Sequence, residues 1–131
     1  MNTQEQIESV VNQYLELLPV EDKNLLVKSE DKASRFLIAI AKLAGIRDQL
    51  LNAKIKKDSL LCVAFNEAIK TAEGKDSKAR EAAAEAMPAF IAIREEVETI
   101  EAQLSYSKVM MDIFLNGHLV YRALMKDGMN G

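Results

Sequence analysis

The sequence predicts an all-α fold, a long antiparallel helical hairpin with an added N-terminal helix, and three observations carry that prediction. Phe90, Ile93, Val97, Ile100, Leu104, Ser107, Met111, Phe114, His118, Tyr121 and Met125 recur in steps of three and four, a heptad seam that only Ser107 and His118 interrupt. Two prolines and five glycines are all that punctuate 131 residues, and no proline falls between Pro19 and Pro88, where a sandwich or barrel would need frequent turns. The run EGKDS at Glu73 to Ser77 is the clearest loop signal in the chain, and helices joined by so short a loop pack antiparallel. One domain is expected, read as 1–27 for the first helix and connector, 28–73 for the first arm, 74–77 for the turn, 78–126 for the second arm and 127–131 for a tail.

Each element has its own local signals. Thr3 followed by Gln6 fits a capping box, and Ile7, Val10, Val11, Tyr14, Leu15 and Leu18 then mark one helical face up to Pro19, which disfavours helical geometry at Leu18. Residues Val20 to Lys28 read as a helical turn or a packed connector. Ser29 fits an N-cap with Glu30 and Asp31 in the first turn, where negative charge meets the positive end of the helix dipole. Phe36, Leu37, Ile40, Leu43, Ala44, Leu50, Leu51 and Ile55 carry the stripe onward across Gly45, and Leu61, Phe65, Ala68, Ile69 and Ala72 extend it. Asp58 offers a place to start a new helix, so Lys56 to Ser59 is either a break or part of one rod. The last arm starts near Ser77, and Pro88 should kink it near Ala84 to Met87 or end a short helix and begin another. Asn116 and Gly117 could stop the helix, yet the seam keeps its phase through His118.

The core must come from aliphatic residues, since aromatics are 5% of the chain and tryptophan is absent. Alanines between Ala79 and Ala92 predict close helix pairing there. Cys62 is the single cysteine, which excludes an intrachain disulfide and a cysteine zinc site; between Leu61 and Val63 it reads as a small buried hydrophobe in a reduced cytosol. The start MNTQEQIESV lacks the regions of a signal peptide, and no apolar run reaches the roughly 18 residues of a membrane span. A cytoplasmic protein with no membrane partner is the expectation.

Charge is unevenly spread. Residues 42–80 hold nine basic and five acidic side chains, plus four, while residues 81–112 hold two and seven, minus five. Lys54, Lys56, Lys57, Lys75 and Lys78 are the candidates for contacting nucleic-acid phosphates near the hairpin tip. Solvation and pairing with the acidic arm is the preferred reading, because no aromatics are interleaved to stack on bases.

Beyond Lys108 apolar residues cover most of the helix circumference, and a helix apolar all round must be buried on all sides. One neighbouring helix cannot cover it, so the N-terminal helix and a second subunit are both expected to do so. The predicted oligomer interface is Met110, Met111, Phe114, Leu115, His118, Leu119, Tyr121, Leu124 and Met125. Met129 joins the methionines clustered at this end, as gap-fillers or as an adaptable binding surface.

No catalytic, cofactor-binding or metal-ligating set emerges. His118 is the sole histidine and sits on the seam, where one polar residue sets register or oligomer state; buried and unpaired, it would resist protonation and let acid loosen an assembly. Glu95, Glu96, Glu98 and Glu101 form a solvated face. The Glu-x-x-His pair of a di-iron bundle, the Gly-rich phosphate loop, H-E-x-x-H and G-x-S-x-G are all missing.

DSKAREAAAEA at 76–86 followed by EEVETIEAQLSYSKVMMDIF at 95–114 resembles small helical accessory proteins of tailed bacteriophages, across roughly residues 30–125. The chain departs from that class at Met110 to Leu119, where the class is more basic and polar. The resemblance implies a non-enzymatic protein of the host cytoplasm, acting on other proteins in DNA recombination or replication or on a host system, and it carries over no functional residue. A purely structural coiled-coil oligomer or assembly adaptor is the alternative. Expected partners are a second copy and another protein.

Overall fold

The computed structural model describes residues 1–18 and 29–130, with side chains described at 1–18 and 30–126. Four α-helices make up the described chain: α1 (Thr3–Leu15), α2 (Ser29–Thr71), α3 (Ser77–Glu85) and α4 (Pro88–Asn130). Pro19 as the stop of α1, the connector Val20 to Lys28 and the side chain of Met129 lie outside the described residues. The all-α class and the antiparallel pairing of the two long helices follow the sequence.

The helix ends show which local signals operated. Asn2, not Thr3, caps α1: its Oδ1 accepts from the Glu5 amide at 2.8 Å while its Nδ2 donates to Glu5 Oε1 at 2.9 Å. Asn2 holds extended backbone and so can reach back to the first turn, which Thr3, already helical, cannot do. Asp76 caps α3 in the same way, accepting from the Ala79 amide at 2.8 Å. Between α3 and α4 the chain splits at Pro88, which takes the first helical position of α4, where its missing amide costs nothing. Helix α2 runs unbroken through Lys56 to Ser59, and α4 runs through Asn116 and Gly117 and on through 127–130, where a tail was expected.

Gly45 sits exposed within α2, and a Cβ added there meets nothing within 4 Å. Gly45→Ala should therefore stabilise the protein by about 1 kcal/mol, the propensity difference at an exposed helical site. Urea unfolding followed by circular dichroism checks this; a lower midpoint would mean that the open space is occupied in solution.

The chain forms two compact units. The terminal unit combines Met1–Asp48 with Ser105–Gly131, and the central unit is Gln49–Leu104.

In the terminal unit, segments of α2 and α4 pair antiparallel, since Ala33 meets His118, Phe36 meets Phe114 and Arg47 meets Ser107. Both polar interruptions of the seam are thereby accounted for. Arg47 Nη1 donates to Ser107 Oγ at 3.0 Å, and His118 Nδ1 lies 2.8 Å from the Ala33 carbonyl oxygen, which, accepting only, requires the proton on Nδ1. His118 is thus buried but paired, which removes the premise on which acid was expected to loosen an assembly. Phe36, Phe114 and Tyr121 are fully buried, with Phe36 stacked on Phe114 at 5.8 Å and on Tyr121 at 5.9 Å between ring centroids. Helix α1 closes one side of the pair with Ile7, Val11 and Tyr14. Tyr14 meets Phe114 edge-on at 6.4 Å, and Tyr121 donates its hydroxyl to the Leu17 carbonyl at 2.9 Å.

In the central unit, α2 and α4 segments again pair antiparallel, through Phe65 with Phe90 at 5.6 Å between centroids and the ion pairs Lys54 with Glu101 and Lys57 with Glu96. Leu50, Ala68, Ala84, Phe90 and Val97 are its buried residues. The alanine-rich stretch pairs less closely than expected: Ala84 is buried, whereas Ala79, Ala82 and Ala86 face solvent. The reason is periodicity: Ala79, Ala82 and Ala86 lie on the side of α3 opposite Ala84, so packing on Ala84 leaves them outside. Cys62 is exposed, contrary to its expected burial, because it projects from the outer side of α2, where its Sγ meets Asn66 Nδ2 at 3.8 Å.

Candidate functional site

Every station of the heptad seam from Phe90 to Met125 is buried or half-buried. Of the nine residues expected to form an oligomer interface, Met110, Phe114, His118 and Tyr121 are buried within the terminal unit of one chain. Met111, Leu124 and Met125 are half-buried, and Leu115 and Leu119 are exposed.

A second stripe on the same helix stays outside, beside the exposed Leu115 and Leu119. Tyr106, Val109, Ile113, Asn116, Val120 and Ala123 also recur in steps of three and four, displaced around α4 from the inner seam. All are exposed except Ile113, which is half-buried, and Val109 reaches 54%. A solvated helix face ordinarily carries charge. These six positions carry none, and the Asn116 amide and the Tyr106 hydroxyl are their polar groups. The sequence held the signal for this stripe in the wide apolar girth beyond Lys108. Subtracting the inner seam and reading the residual spacing would have isolated it.

The lysines expected at the tip are divided by the fold. Lys54 donates to Asp58 at 2.9 Å and lies 3.8 Å from Glu101, and Lys57 pairs with Glu96 at 2.5 Å. The hydrogen bond from Lys54 to Asp58, aided by that carboxylate's charge, raises the lysine pKa above its ordinary value and keeps it cationic. Lys56, Lys75 and Lys78 are exposed. The central unit as a whole holds eight basic and ten acidic residues, so the basic excess of the first arm is offset by the acidic arm it faces.

Concave sites are poor in chemistry. A depression of about 420 Å³ is lined, among the described residues, by Leu119, Arg122, Ala123, Met125 and Lys126 of α4, and no second described element converges on it. Another of about 270 Å³ in the central unit is lined by Ala64, Glu67, Ala68, Thr71, Met87, Ala89 and Phe90, with a single carboxylate and no base beside it. Among the described residues no group of three or more His, Cys, Asp or Glu side chains is placed to hold a metal ion. No described helix is long and apolar enough to cross a membrane. Compared with known proteins, the chain matches no family model, no curated protein and no solved structure.

Proposed function

We propose that this protein is a non-enzymatic accessory protein that acts through protein–protein contacts, with the outer face of α4 in the terminal unit as its contact surface. One observation carries the reading: from Tyr106 to Ala123 that face is exposed at all but the half-buried Ile113, regularly spaced and free of charge, a pattern that costs solubility unless a partner covers it. In line with its resemblance to tailed-phage proteins, we assign it to protein assemblies of DNA recombination or replication, or to modulation of a host system. The structural alternative, a coiled-coil adaptor, uses the same surface. Direct nucleic-acid binding has less support, because Lys54 and Lys57 already face Glu101 and Glu96.

The test is sedimentation of the purified protein, alone and after addition of native host extract. The reading expects a mass above that of one chain in at least one condition. The double variant Val109→Lys, Val120→Lys should abolish it while leaving helicity unchanged. A chain that remains a monomer in both conditions overturns the reading.

A further inference from the structure

We infer that α3 is a flap that closes by folding onto the central unit and opens by unwinding, while the long helices of that unit stay formed. It is independent of the contact surface proposed above, which lies in the terminal unit. Two breaks in the backbone set α3 apart. On one side the Ala72 amide closes α2 on the Ile69 carbonyl at 3.3 Å, and the next backbone bond, from the Arg80 amide to the Asp76 carbonyl at 3.1 Å, already belongs to α3. On the other side the Ala86 and Met87 amides turn back onto α3, and Pro88, with no amide, cannot carry the ladder across. Helix α4 begins afresh with the Ile91 amide on the Met87 carbonyl at 3.0 Å.

Between these breaks little holds α3 down. Ala84 is buried and Ala83 half-buried, while the other seven of its nine residues face solvent. Arg80 Nε donates to the Gly74 carbonyl at 3.4 Å, a long bond at an exposed site. Among the described residues no ion pair ties Lys78, Arg80, Glu81 or Glu85 to α2 or α4. A helix this short falls below the roughly 12–15 residues that hold together alone in water, so once Ala84 leaves its seat α3 unwinds. The closed form is nevertheless well specified. Asp76 caps it, and a Cβ added at Gly74 would stand 2.9 Å from both Ala79 Cβ and the Arg80 nitrogen, so glycine is what lets the loop press against the first turn. At the far hinge Met87 borders the depression of about 270 Å³ shared with Ala64, Ala68 and Phe90, which leaves the turn room to rearrange. Segments with few buried apolar contacts and solvent-facing backbone bonds open at far lower cost than the fold as a whole.

Hydrogen exchange of the full chain, read by mass spectrometry, tests the inference. Corrected for intrinsic rates, amides of 81–87 should exchange about a hundredfold or more faster than those of 91–100 in α4 and 61–68 in α2, yet at least about threefold slower than an unfolded chain. Ala84→Asp, which puts a charge into the buried seat, should remove the remaining protection of α3 and leave 91–100 within about twofold of the parent. Gly74→Ala, which crowds the first turn without touching the seat, should speed exchange in α3 alone. Protection of 81–87 equal to that of 91–100, or variants that speed both segments alike, would mean that α3 opens only with its whole unit and overturns the inference. Exchange of 81–87 at the unfolded rate in the parent would mean that no closed form exists, and overturns it as well.

Discussion

Phe36→Ala should lower the stability of the terminal unit by about 3–5 kcal/mol, the cost of emptying a ring-sized site that cannot collapse. Phe36 is fully buried and its ring is stacked on two others, Phe114 and Tyr121, so three helical turns on two helices lose contact at once. Backbone helices on either side hold those rings apart and limit the collapse. In thermal unfolding the loss corresponds to a midpoint lower by roughly 10–20 °C. Leu37→Ala is the control: the neighbouring residue is about half exposed (48%), and its truncation should shift stability by about 0.5 kcal/mol or less. If both variants unfold within about 1 kcal/mol of the parent, the aromatic cluster is not the core of this unit.

Gly117→Leu should cost about 3 kcal/mol or more, from the opposite cause. A Cβ at position 117 would stand 3.0 Å from Phe36 Cε2 and Cζ and 3.3 Å from Leu18 Cδ2. The ring it strikes is pinned between Phe114 and Tyr121 and cannot step aside without dragging its neighbours. Alanine is the sharper probe. Helix propensity favours it by about 1 kcal/mol, while overpacking a close-packed site costs about 1–3 kcal/mol, so a net loss of about 1 kcal/mol is expected. Gly45→Ala, with the same propensity gain and open space around it, should go the other way. Shrinking the obstacle should expose the coupling: Phe36→Leu together with Gly117→Ala should cost less than the two separate losses combined. Strict additivity would mean that the two residues do not press on each other.

The fold was legible wherever a periodic pattern governs it. The heptad seam, the turn at Glu73 to Ser77 and the split at Pro88 are consequences of spacing and backbone chemistry, which a sequence displays directly. Gly117 was not legible, because a glycine read along the chain marks a possible stop, and only the approach of Phe36, 81 positions earlier, reveals it as a contact. Cys62 was misread for a related reason: apolar neighbours in sequence lie around the helix, not on one side of it. Asn2 was passed over because Thr3 offers the same cap chemistry one residue later, and only backbone conformation separates them. The proposed contact surface was half visible. Sequence reading recognised that the end of α4 is too apolar for a single partner helix, but it could not divide the inner seam from the outer stripe, which depends on where α1 and α2 lie.

The bonds from α2 to His118 and Ser107 also bear on how the chain avoids folding wrongly. Apolar faces are forgiving, and two helices with heptad patterns can zip together after slipping by seven residues with little loss of greasy contact. Here such slippage would separate the imidazole from the Ala33 carbonyl and the Ser107 hydroxyl from Arg47 at the same moment. Each stranded polar group costs about 1–3 kcal/mol once sealed from water, so a misaligned pairing is handicapped by several kcal/mol before any side-chain misfit is counted. Two modest polar residues thus act as alignment pins, penalising near-miss structures far more than they strengthen the correct one.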